Sequence, residues 1–143
     1  MNEVEILGKI SERKELIPLI MNQVRAGHPV EADSYFEVVD IKEYLSLDNA
    51  HTFFVRSGIT IKNASIYTGD LLIVDRSLDP KNGNIVIAYH KVDELSLRKV
   101  VHRKGYVFLV SANPEQPAMI LEDPVEQIWG VVIYSVHSQT NNK

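Results

Sequence analysis

From residue 52 onward the apolar positions come in short runs rather than at helical intervals. The runs are TFFVR (52–56), DLLIVD (70–75), NIVIAY (84–89), LSLRKVV (95–101), YVFLVS (106–111) and QIWGVVIYSV (127–136). They are rich in Val, Ile, Phe and Tyr and are bounded by turn residues, which is the pattern of strands on a partly buried pleated surface. Asn82-Gly83 and Lys104-Gly105 mark the sharpest turns. Six such runs with little helix predict a compact, mostly antiparallel β domain.

The first fifty residues follow a different rhythm. Ile10, Ile17, Ile20 and Val24 recur at intervals of a helix face. Pro18 lies inside that window and opposes one continuous helix, because it lacks the N–H and clashes with the preceding turn. The expectation is a short, partly helical N-terminal arm, ended by Ala26-Gly27-His28-Pro29. Asp40 and Glu43 stand at capping-box spacing and predict a short helix over 40–46. The expected division is an arm over 1–30, a β domain over 31–137 and a polar tail over 138–143.

Composition narrows the function classes. A chain of 143 residues with 45% apolar and 24% charged residues is long enough for one domain with a real core. A net charge of −4 disfavours direct nucleic-acid binding through a basic face. The basic stretch 98–104, RKVVHRK, reads first as a solvated strand and turn and second as a surface for an acidic partner. Without cysteine there are no disulfides and no thiolate metal sites. The histidines at 28, 51, 90, 102 and 137 lack ligand spacing, and no Gly-rich phosphate loop occurs, so neither metal nor cofactor is expected. No apolar run reaches membrane-spanning length, and the alternating charges of the first fifteen residues do not make a signal peptide. The expected location is the cytoplasm.

Five segments then fall into a recognisable order. They are Ala26-Gly27, Ser57-Gly58-Ile59-Thr60-Ile61, Gly69-Asp70-Leu71-Leu72, Ser96-Leu97-Arg98 and Trp129-Gly130-Val131-Val132-Ile133. Together they resemble the LexA/UmuD family of self-cleaving serine–lysine peptidases, over roughly residues 20–137. In that family a Ser-Gly-x-Ser-Met segment carries the nucleophile, a Gly-Asp-(Leu/Ile)-Leu strand follows, a Thr-Val-Lys strand supplies the base, and a Phe-Gly-Val-Val-Ile strand closes the domain. The resemblance implies the family's C-terminal β fold. It places the nucleophile at Thr60, the base at Arg98 and a cleavable bond at Ala26-Gly27, 34 residues before Thr60. Only 26 residues precede Gly27, too few for the DNA-binding domain of the LexA branch, so the expectation is the UmuD branch.

Both dyad positions are substituted, and the chemistry weighs them unequally. A serine–lysine dyad needs a neutral amine to take the hydroxyl proton, and burial of lysine supplies it. Arginine stays protonated at any workable pH and cannot take that part. Threonine keeps a hydroxyl, but its extra methyl stiffens χ1 and crowds the attack path. Lys99 is the alternative base. Strand parity puts Arg98 on one face with Ser96 and Val100, and Lys99 on the other with Leu95, Leu97 and Val101, so Lys99 turns inward only through a bulge. Asp70 reads as a turn and hydrogen-bonding residue rather than an acid, and Gly69 as a position of positive φ or of close backbone approach.

The resemblance implies a homodimer acting in the SOS response on a translesion DNA polymerase, in contact with a recombinase filament. With Thr60 and Arg98 in place, the expectation is a catalytically silent member working by protein–protein contact. Two alternatives stand beside it. One is an active peptidase that cuts Ala26-Gly27 with Thr60 and Lys99. The other is a regulatory decoy that forms mixed dimers with an active relative.

Overall fold

The computed structural model describes residues 3–10, 16–20, 36–47, 50–91 and 93–140. In chain order the elements are β1 (Val4–Lys9), β2 (Leu16–Ile20), β3 (Phe36–Asp40), α1 (Ile41–Tyr44), β4 (Thr52–Ser57), β5 (Leu71–Asp75), β6 (Ile85–Lys91), β7 (Glu94–Arg103), β8 (Tyr106–Ser111), β9 (Met119–Ile120), α2 (Pro124–Gln127) and β10 (Ile128–Val136). The chain forms two compact units, Ser11–Asn49 and a larger one of Met1–Ile10 with Ala50–Lys143. The first ten residues, expected in an arm over 1–30, thus belong to the larger unit.

In the smaller unit β2 and β3 make a two-stranded antiparallel ribbon, with Pro18 opposite Val38. This corrects the helical expectation around Ile17 and Ile20. Each strand of a ribbon has one unpaired edge, where the missing N–H of Pro18 costs no ladder bond, whereas a helix interior would lose one. The short helix that follows is α1, and the Asp40 carboxylate caps it by accepting from Lys42 N–H at 3.2 Å.

The larger unit is an eight-stranded antiparallel sheet in the order β1-β4-β5-β10-β6-β7-β8-β9. Every strand expected from the apolar runs is present. The hairpin from β7 to β8 turns at Lys104 and Gly105, with φ of 53° and 80°, the left-handed pair that a tight hairpin requires. Two apolar clusters lie on the faces of the sheet. Val4, Val55, Ile61, Ile66, Leu72, Val74, Ile87, Leu97 and Trp129 form the first. Val86, Ala88, Val100, Leu109 and Val131 form the second. β7 serves both, sending Leu97 to one and Val100 to the other, and so reads as a long apolar run rather than a clean alternation.

β10 crosses the centre of the sheet between β5 and β6, with register shifts around Trp129 and Ile133. Trp129 packs edge-on against Phe53 at 5.4 Å, and the Arg76 guanidinium lies 4.5 Å from the Trp129 ring centre. The strands come close beside Gly130, where an added Cβ would meet Val74 Cγ1 at 2.5 Å and Arg76 Cγ at 3.3 Å. Val74 is fully buried and has nowhere to go. Gly130→Ala is therefore expected to destabilise the protein by about 1–3 kcal/mol, read as a lower urea midpoint with an unchanged slope.

Candidate functional site: the substituted dyad positions

Thr60 sits at the outer end of a tightly folded loop that links β4 to β5. Ser57 ties the loop at its base: its N–H donates to Asp70 O at 2.9 Å and its carbonyl accepts from Gly69 N–H at 2.7 Å. Ile61 and Ile66 exchange a pair of backbone bonds across the loop, and both are buried in the first cluster. Thr60 itself points outward and is exposed. Its Oγ1 accepts from Thr68 N–H at 3.1 Å and lies 3.2 Å from Thr68 Oγ1. Among the described residues no histidine, carboxylate or amine is hydrogen-bonded to it.

Asp70 and Gly69 take the parts that the turn chemistry assigned to them. Gly69 has a φ of 93°, and an added Cβ would meet nothing within 4 Å, so backbone conformation rather than crowding calls for glycine there. The buried Asp70 carboxylate accepts from Tyr67 N–H at 2.8 Å and closes the turn. Its other oxygen lies 2.5 Å from His137 Nδ1, whose ring packs against Tyr67. The ring is half-exposed, yet it anchors the chain after β10 to this loop. No local pattern announces a bond between residues 67 positions apart.

Arg98 lies on the other side of β7 from Leu97 and is almost fully enclosed, at 1% exposure. Its Nε donates to Ser96 Oγ at 3.1 Å, and its NH1 donates to Leu109 O at 3.1 Å and to Pro117 O at 3.2 Å. Ser96 Oγ in turn donates to Ala88 O. The guanidinium thus joins β7 to β8 and to the segment between β8 and β9. Burial lowers its pKa below the ordinary arginine value, while the charge of the Glu3 carboxylate opposes that shift. An arginine so placed remains a cation at working pH. No hydrogen bond links it to Thr60.

Lys99 is exposed on the opposite face. Pairing between β6 and β7 runs without a shift from Ile85↔Lys99 to Tyr89↔Leu95, so no bulge turns Lys99 inward. Ala26 and Gly27 lie outside the described residues. Among the described residues no group of three or more His, Cys, Asp or Glu is arranged to hold a metal ion, and no helix is long and apolar enough to cross a membrane.

The eight-stranded sheet, the Thr60 loop and the Gly69-Asp70 turn belong to a stretch of chain that matches a known family. Residues 18–133 match the Peptidase S24-like family. The chain belongs to that family, in its UmuD-type branch. It is 35% identical to protein SamA of Salmonella typhimurium (strain LT2) over 122 residues, 84% of each chain. It is 31% identical to protein MucA of Escherichia coli over 130 residues, 88% of each chain. A LexA repressor from Cupriavidus taiwanensis is 27% identical over 124 residues, but they make up only 56% of that repressor. Coverage of 84–88% of SamA and MucA, against 56% of the repressor, agrees with the UmuD-type assignment.

Within this S24-like domain Arg98 is a strut. Removing it leaves the Leu109 and Pro117 carbonyls and the Ser96 hydroxyl without their donor. Arg98→Ala is expected to cost about 2–4 kcal/mol in urea denaturation and to speed proteolytic nicking between residues 112 and 118. Arg98→Lys, with one donor centre in place of the fork, should fall between wild type and Arg98→Ala.

Proposed function

We propose that this chain is a UmuD-like accessory protein of the SOS response that works through protein–protein contact and does not cut peptide bonds. One observation carries the reading. The residue at the base position is a buried guanidinium already committed to Ser96, Leu109 and Pro117, while among the described residues the Thr60 hydroxyl is hydrogen-bonded only to Thr68. Peptide-bond attack needs a group that takes the hydroxyl proton as the nucleophile closes on the carbonyl. A cation with no free lone pair supplies none. The exposure of Lys99 on the far face weighs against it as a substitute.

On this reading the fold is kept for its surfaces. The protein acts in the cytoplasm as a homodimer, and its partners are a translesion DNA polymerase and the recombinase filament that governs the response. It uses no cofactor, and its acidic net charge suits protein partners better than DNA. Ala26-Gly27 then stays uncut unless an active relative cuts it in trans.

Intact-mass measurements test the silent-enzyme part. The purified chain, held at alkaline pH or mixed with an activated recombinase filament, should keep its full mass over hours. A fragment starting at Gly27 overturns the reading. Thr60→Ser alone should also stay intact, because a better nucleophile still lacks a proton acceptor.

A further inference from the structure

A cleft of about 330 Å³ opens between the connector that follows β5 and the segment that runs from α2 into β10. Its apolar wall is Leu78, Pro80, Pro124, Val125 and Ile128, and Arg76, Asp79 and Trp129 also line it. Both sides are held by local bonds. The Asp75 carboxylate accepts from Ser77 N–H at 2.7 Å and from Ser77 Oγ at 2.6 Å, and Arg76 N–H donates to His51 O at 2.9 Å. On the other side Asp123 caps α2 by accepting from Val125 N–H at 3.1 Å. The Gln127 side chain accepts from Glu122 N–H at 2.7 Å and from Asp123 N–H at 2.8 Å. The walls are therefore set before anything binds, which lowers the cost of ordering them.

The charged groups of the cleft are oriented but unspent. Arg76 Nε donates to Trp129 O at 2.8 Å. Its guanidinium lies 4.5 Å from the Trp129 ring centre and 5.8 Å from that of Phe53. Covering the tryptophan accounts for the stack and for Nε. It leaves the two terminal nitrogens, which among the described residues have no hydrogen-bond or ion-pair partner. Asp79 stands in the same cleft, and its carboxylate is paired neither with Arg76 nor with any other described side chain. Opposite charges thus share one cleft without meeting, beside an apolar wall.

We propose that this cleft binds the C-terminal end of a partner polypeptide whose last residue is apolar. The terminal carboxylate takes the two free nitrogens of Arg76, a planar fork that meets it with two parallel bonds. The Asp79 carboxylate accepts the N–H of the last residue, and the apolar side chain lies against Leu78, Pro124 and Val125. A cation, an acceptor and an apolar wall are the complement of a chain end, where carboxylate, N–H and side chain stand on one carbon atom. The acceptor at Asp79 disfavours a fatty acid, which has no N–H to give. The open wall disfavours a free amino acid. Val125 is 88% and Leu78 48% exposed, whereas a small-ligand site encloses most of its ligand. Neither Thr60 nor Arg98 takes part, so the inference stands apart from the silent dyad.

Trp129 is the only tryptophan of the chain, so its emission reports on the cleft. The probes are acetylated tetrapeptides, Gly-Ser-Gly followed by leucine, valine or phenylalanine, each with a free carboxylate and each compared with its C-terminal amide. With the complete chain at least one free acid should give a saturable change, and its amide should bind about tenfold more weakly. Arg76→Gln should erase that difference, while Arg76→Lys, which keeps the charge and loses the fork, should retain part of it. Shifts of the Trp129 indole and Gly130 amide resonances give a second readout that does not depend on emission. The comparison of acid with amide on the unaltered chain needs no variant to fold. Equal affinity of the two forms, or no saturable binding by either readout up to about 10 mM peptide, overturns the proposal. Free leucine binding as tightly as the peptides would assign the cleft to a small molecule, and would overturn it as well.

Discussion

A guanidinium enclosed at 1% exposure sets the terms for the centre of this protein. A permanent charge in the interior is costly unless acceptors meet it, and here two backbone carbonyls and a serine hydroxyl accept from its Nε and NH1. That requirement holds β8 against β7 and draws the segment at Pro117 inward. A serine–lysine dyad needs a basic group that can be neutral, and a guanidinium is not one. The same side chain explains local order and argues against local chemistry.

The geometry of β7 divides the remaining work. One face sends Leu97 into the cluster that underlies the Thr60 loop, while the other sends Ser96, Arg98 and Val100 toward β8. Its edge is divided as well, with Glu3 bonded at Leu95 and Leu97 and β8 paired from Arg98 onward. The first strand and the last half of the domain thus meet on a single strand. The sheet closes there because Glu3 is at once a backbone partner and a side-chain acceptor.

The loop that carries Thr60 is ordered independently of any catalytic partner. Ser57, Gly69 and Asp70 tie its ends, Ile61 and Ile66 pin its middle, and His137 clamps it from just beyond β10. Such a loop is held in shape by its own bonds and by the cluster beneath it. The family match extends over residues 18–133 with threonine at position 60 and arginine at position 98.

Much of this was legible in the chain itself. Short β-rich runs, the Lys104-Gly105 hairpin, the capped helix at Asp40 and the order of the family segments depend on neighbours a few residues apart, and local spacing records them. Strand parity alone put Arg98 and Lys99 on opposite faces, because successive side chains of a strand must alternate. Local spacing misread residues 16–20, whose apolar intervals suit a helix until Phe36–Asp40 supplies a strand partner. Charge and residue type determined that position 98 could not act as a base. Only the tertiary structure decided what that charge does instead, what Asp70 holds through His137, and where Glu3 lies. Those bonds join residues 11 to 94 positions apart, and closure over such distances is set by the packing of the whole sheet, which no local window contains.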